Sequence, residues 1–187
     1  MSSNHSNNIS NIFITITTLI FAITSLVTVF ISLSAWRNER ETVKPYLTFL
    51  NSPQIYFEKN ELIFSFKLTN SGLHPVASLY CQTIIVDCTL DQKPLHTDQY
   101  SLVNNIPQNT TTDLIIKISC SLSEINKENI NQHYIIIDLR YMDPILEKKH
   151  EQLIYLRWLG ITNGKPNLVF HASKEDKNRI IEYLGKF

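Results

Sequence analysis

Residues Ile12 to Trp36 carry no charged side chain, and no other feature constrains the chain as much. As an α-helix rising ~1.5 Å per residue the run is about 37 Å long, against ~30 Å of bilayer hydrocarbon. It reads as a transmembrane helix over 12–36, crossing with some tilt. A cleaved signal peptide would carry a basic start, a shorter apolar run and a small-residue cleavage site. Met1 to Asn11 contains neither Lys nor Arg, and the apolar run is too long. Trp36 falls at an interface, and Arg37, Arg40 and Lys44 follow it. Basic residues stay on the cytoplasmic side, so the polar tail 1–11 is expected outside and the rest of the chain in the cytoplasm. Trp36, Arg37, Arg40 and Lys44 are the expected interface anchors, with membrane lipid as the first partner.

The span contains no Asp, Glu, Lys, Arg or His, which argues against a transporter or proton relay. Thr18, Ala22, Ser25, Thr28, Ser32 and Ala35 are spaced 4, 3, 3, 4 and 3, a stripe of small residues along one helix face. Small faces let helices approach closely in lipid, which makes this stripe a candidate helix–helix interface for self-association. The competing reading is that Ser and Thr bond their own i−4 carbonyls and face lipid.

Residues 37–44 read as a juxtamembrane linker, and Pro45 ends any helix continuing from the membrane. Period-two patterning begins after it. Tyr46 to Leu50 is a first short strand. In Glu61 to Asn70 the residues Leu62, Phe64, Phe66 and Leu68 alternate with a more polar face. Val76 to Thr89, a short edge strand at Tyr100 to Val103, and Asp113 to Ser119 follow. His133 to Met142 alternates again, with Ile135, Ile137, Leu139 and Tyr141 expected inward and Asp138 and Arg140 outward. Glu151 to Leu159 returns as its hairpin partner, and Asn167 to His171 adds a last strand. Leu122 to Asn129 reads as one helical turn. Short strands with turn residues between them and no intervening long helices predict an all-β, two-sheet antiparallel sandwich over 45–172. Ser173 is a plausible N-cap for an amphipathic helix over 173–187, with Ile180, Tyr183 or Leu184, and Phe187 at helical spacing. That helix either docks on the sandwich or offers its apolar stripe to a partner.

Chemistry is sparse. Lys plus Arg and Asp plus Glu are both 17, so no global field recruits nucleic acid. Cys81, Cys88 and Cys120 form no CxxC pair and read as free thiols of a reducing compartment. His5, His74, His96, His133, His150 and His171 form no HxH, HExxH or Cys/His cluster. No metal site, cofactor site or catalytic residue is expected. Asp138 and Asp143 flank Arg140, read as strand-edge solvation and a turn-capping aspartate. Tyr141 reads as a corner tyrosine bonding backbone. Lys148, Lys149 and His150 read as a solvated hairpin tip with the charge to touch anionic headgroups.

The order of a membrane helix, a basic stretch, Lys44-Pro45-Tyr46-Leu47, a strand ending in Asn70-Ser-Gly-Leu-His-Pro75, and a late Tyr141-x-Asp143 forms a pattern. It resembles a group of uncharacterised bacterial single-pass membrane proteins with an immunoglobulin-like β-sandwich. Pro75-Val76 replaces the Pro-Ala pair usual in that group, and Pro144 stands where a Gly is common. The resemblance implies an immunoglobulin-like sandwich at the bacterial inner membrane and carries no catalytic residue. The expected function is a non-catalytic binding or scaffold module that presents the β domain to a protein partner. The alternative is a small membrane effector whose soluble domain senses a ligand or partner and whose helix oligomerises to disturb the membrane.

Overall fold

The computed structural model describes residues 3–59, 61–119 and 128–185 and divides into two units, residues 1–43 and 44–187. Helix α1 (Ser3–Val43) is the first unit. Its stretch Phe13–Glu39 contains an 18-residue window of mean hydropathy 2.3 and is long and apolar enough to cross a membrane. Helical structure extends past both expected ends of the span. The tail is helical from Ser3, and the expected linker 37–44 is helical through Val43. Pro45 sets that stop, because its ring disfavours the α conformation at Lys44.

The second unit is built from strands β1 (Leu47–Phe49), β2 (Gln54–Glu58), β3 (Glu61–Asn70), β4 (Ala77–Asp87), β5 (His96–Leu102) and β6 (Thr111–Ser119). They are followed by β7 (His133–Asp143), β8 (Lys148–Trp158), β9 (Ile161–Thr162), β10 (Lys165–Pro166), β11 (Val169–His171) and helix α2 (Lys174–Leu184). In one sheet β3 is central. β6 pairs along its whole length, from Glu61 opposite Ser119 to Thr69 opposite Thr111, and β1 and β2 divide the other edge. The second sheet runs β11-β8-β7-β4-β5, and all its pairs are antiparallel. β9 and β10 form a small separate hairpin.

The alternating apolar faces of the two sheets meet in one core. Leu62, Phe64, Phe66 and Leu68 of β3 lie in the same cluster as Ile135, Ile137 and Leu139 of β7 and Leu156 and Trp158 of β8. Phe64 and Trp158 join the sheets, ring centroids 5.0 Å apart and interplanar angle 88°. Burying such side chains contributes ~1.5–3 kcal/mol each, which is why the period-two pattern specifies the inward face.

Several expectations change. β2 was not anticipated, since five residues flanked by Pro53 give only a weak period-two signal. The edge strand expected at Tyr100 starts earlier, at His96. β8 begins at Lys148, with Lys148 opposite Asp143 and His150 opposite Tyr141. Lys148, Lys149 and His150 are therefore strand residues, and the hairpin tip is 144–147. Of the helical turn expected over Leu122 to Asn129, residues 122–127 lie outside the described residues, as do Cys120 and Phe187.

β7 is buried on both faces. Its outward Tyr134 and Ile136 join Val86 of β4 and Ile180 and Tyr183 of α2 in a second cluster. The C-terminal helix thus docks on the five-stranded sheet. Ser173 caps it as expected, in a capping box with Asp176. Tyr134 Oη donates to Asp176 Oδ1 at 2.5 Å, and Arg157 Nη1 lies 3.5 Å from Oδ2. Tyr183 Oη donates to the Gln92 carbonyl at 2.6 Å.

His133, buried against Trp158 at the start of β7, is expected to make the stability of the domain depend on pH. Burial holds its imidazole below the usual value of 6.5, against opposing effects of the Asn131 carbonyl and Asp87. Below about pH 6.5 the unfolded chain takes up a proton that the folded domain disfavours. Stability is therefore full above that pH and falls as pH drops towards the depressed folded value. A His133→Gln variant should show a flatter dependence of unfolding midpoint between about pH 6.5 and 5 in urea titrations. An unchanged slope would exclude His133 as its source.

Candidate functional site

The stripe Thr18, Ala22, Ser25, Thr28, Ser32 and Ala35 is exposed, as are the large apolar side chains around it. None of the apolar window of α1 is buried. Thr18 and Thr28 hydroxyls donate to the carbonyls of Ile14 and Thr24, at 2.8 and 2.9 Å. Thr17 and Thr24 do the same one turn back, both at 2.8 Å. These hydroxyls are satisfied within the helix, so contact through the stripe would rest on close approach rather than on threonine hydrogen bonds between helices. Trp36 and Arg37 lie on the exposed surface of the last turns, Arg40 falls within the helix, and half-buried Lys44 opens the β unit.

The three motifs that carry the family resemblance converge at one end of the β domain, here called proximal because the chain enters there. Asn70 is fully buried. Its Nδ2 donates to the carbonyls of His74 at 2.8 Å and Ile106 at 3.1 Å, and its Oδ1 accepts from the amides of Gly72 at 3.1 Å and Tyr46 at 3.3 Å. Gly72 is required there, because a Cβ would collide with the Lys44 carbonyl and the Pro45 backbone. Tyr141 Oη lies 3.3 Å from both the Pro45 carbonyl and Gln152 Oε1, while Gln152 Nε2 donates to the Leu47 carbonyl at 2.6 Å. Burial first, and then Tyr46, pushes the Tyr141 phenol up to about 12, so it stays a neutral donor.

Asp143, fully buried, completes this corner. Its Oδ1 caps the turn by accepting from the amides of Ile145 and Leu146 at 2.9 and 3.1 Å. Its Oδ2 lies 2.7 Å from His74 Nδ1. Burial raises the carboxyl, but the His74 bond and the two amides outweigh it and hold it below its usual range. Asn70, Gln152 and Asp143 each fasten a backbone segment in this corner.

Asp138 does not join it. Positions 138 and 143 differ by an odd number, so their side chains lie on opposite faces of β7. Asp138 sits mid-sheet with 8% exposure rather than at a solvated strand edge, which corrects the sequence reading. Its Oδ2 pairs with Arg140 Nη2 at 2.7 Å, and Arg140 reaches Glu151 at 3.6 Å.

A concave feature lies between the edge strands β5 and β6. It is about 270 Å³ and takes in Thr83, Asp98, Gln99, Tyr100 and Asp113. Cys81 is at this cleft, but burial, then Asp138 and Asp98, push its thiol up to about 12. A neutral thiol is a poor nucleophile. Cys88 lies against the opposite, α2-covered cluster, so the two thiols face apart as their spacing requires. Among the described residues no group of three or more His, Cys, Asp and Glu is arranged to hold a metal ion.

No family model and no curated protein matches the chain. Solved structures give distant likenesses. OgpA from Akkermansia muciniphila is 13% identical with a TM-score of 0.34, over 70% of this chain and 30% of that one. The structural-genomics target SoR45 is 15% identical with a TM-score of 0.40, over 70% and 92%. Beta-glucosidase 3B from Thermotoga neapolitana is 9% identical with a TM-score of 0.34, over 68% and 17%. This chain spans about a third of OgpA's length or less. Likenesses this remote carry no functional argument, and a functional reading of this chain rests on its own residues and their geometry.

Proposed function

We propose that this protein is a membrane-anchored binding module. Helix α1 holds an immunoglobulin-like sandwich at the cytoplasmic face of a bacterial inner membrane, where the domain engages a protein partner without transforming it. One observation carries the reading: the β domain closes its own core, while the apolar window of α1 is left entirely unburied. An apolar helix of that length without protein cover finds its low-energy surroundings in hydrocarbon. The basic residues Arg37, Arg40 and Lys44 follow the span and none precedes it, which supports the cytoplasmic placement.

The partner surface is assigned to the side bearing β5 and β6. Each pairs on one edge only among the described residues, leaving strand edges beside the cleft. Unpaired strand edges accept an added strand through main-chain hydrogen bonds. The effector reading keeps one support, the exposed small-residue stripe. Photo-crosslinking of the full-length chain in its own membrane separates the two. A crosslinker at Gln99 is expected to capture one reproducible protein other than this chain, and one at Ser25 to capture lipid. Self-capture at Ser25 that is lost in a Ser32→Leu background would favour the effector. Absence of any protein adduct at Gln99 would sink the binding-module reading.

A further inference from the structure

Large apolar side chains stand exposed at the proximal end of the β domain. Four separate connections bring a large apolar side chain to that end. Tyr46 precedes β1, Leu73 lies in the β3–β4 turn, Val103 follows β5, and Ile145 lies in the β7–β8 tip. Their exposures are 48%, 55%, 85% and 61%. The connections are held together rather than splayed. Val76 and Ile106 exchange backbone bonds of 2.9 and 2.7 Å, Ser71 N donates to the Tyr46 carbonyl at 2.8 Å, and His74 holds Asp143. The exposed lysines Lys148 and Lys149 stand beside this rim at the start of β8, and half-buried Lys44 opens the domain. Against them stands exposed Glu147, while Asp143 is buried and occupied by His74 and two amides.

Chain length says what this end meets. The uncharged run of α1 ends at Trp36, and Lys44 already belongs to the β domain. The residues 37–43 between them, all helical, add only ~10 Å. The headgroup layer of one leaflet is itself ~5–8 Å thick. The covalent chain therefore tethers the point where it enters the β domain within a few Å of the headgroup layer, close enough for the proximal loops to reach it. Apolar tips rimmed by lysine suit that layer: the tips reach the acyl boundary, Tyr favours the interface, and ammonium groups meet anionic lipid.

We propose that the proximal end of the β domain docks on the bilayer surface, with Tyr46, Leu73, Val103 and Ile145 entering the headgroup layer of an anionic membrane. The inference rests on the membrane-anchor reading of α1. Docking would fix the domain's height and leave the β5–β6 side free along its length.

The test uses the full-length chain in phosphatidylcholine–phosphatidylglycerol vesicles, with and without brominated acyl chains. Val103→Trp places a quenchable reporter at the proximal end. Leu95→Trp, at a loop position 56% exposed at the opposite end, is the control. Wild-type fluorescence from Trp36 and Trp158 is the background. The fluorescence added by Val103→Trp should be mostly lost in brominated lipid, and that added by Leu95→Trp retained. A Val103→Trp signal that survives while the wild-type background is quenched overturns the docking and leaves the anchor standing. If neither the background nor either reporter is quenched, anchor and docking fall together. Equal quenching of both reporters would mean a domain lying on its side, which also overturns the proposal. Adding Ile145→Asp to Val103→Trp should restore the reporter's fluorescence, a reversal that a reporter buried in protein would not show.

Discussion

Replacing Trp158 with Ala is expected to destabilise the β domain by about 3–5 kcal/mol, a large part of what a domain of this size holds in reserve. Trp158 is 1% exposed. Its indole meets Phe64 of the facing sheet edge-on, stacks on His133 at 5.8 Å, and donates through Nε1 to the Asn167 carbonyl at 3.2 Å. Truncation removes the side chain that joins the two sheets, leaves a void that the stiff strands collapse into only partly, and orphans that carbonyl. Phe in its place keeps most of the apolar contact and loses the donor, so Trp158→Phe should cost well under half as much. Urea denaturation of the full-length chain, followed by pulse proteolysis of the β domain, checks both. Similar losses for Ala and Phe would mean that the Asn167 bond, not the core, dominates.

Asp143→Ala is expected to cost about 3–5 kcal/mol, and Asp143→Asn substantially less. Alanine removes the acceptor for the Ile145 and Leu146 amides and leaves the largely buried His74 ring without its partner. Asparagine retains an acceptor for the turn amides and gives up only the charge-assisted bond to His74. The same carboxylate should mark the acid limb of stability. Its folded-state value lies below the ordinary 3.8, so its contribution is complete above that pH and is lost as pH falls through the depressed value. Asp176, lowered first by the Tyr134 hydroxyl bond and opposed by burial, adds to the same limb. In Asp143→Asn the loss of stability below about pH 4 should shrink; an unchanged acid limb would assign it elsewhere.

The long helix was legible because its signal is local: an uncharged run needs no partner to be recognised, and Pro45 marks its end. β3 and β7 were legible by alternation, and α2 by Ser173 and its acidic first turn. Asp143 was readable as a turn cap, since an aspartate next to Pro144 bonds its own turn. His74 as its partner was not, because 69 residues separate them and only the pairing of the strands closes that distance. Asp138 was misplaced for the same reason. Period two identifies two faces but not what covers the second, although the continuous apolar run Tyr134 to Ile137 carried that hint.

By itself, then, the sequence determined an apolar helix, the inward face of the main strands and the absence of any recognised catalytic spacing, all properties of neighbouring residues. Only the tertiary structure decided which strands share an edge, where β2 fits, and that α2 seals the outer face of β7. It also decided that Tyr46, Leu73, Val103 and Ile145, scattered along the chain, crowd one end. The physical reason is that side-chain periodicity is written in dihedral preferences over a few residues, whereas pairing and burial are set by contacts among distant segments.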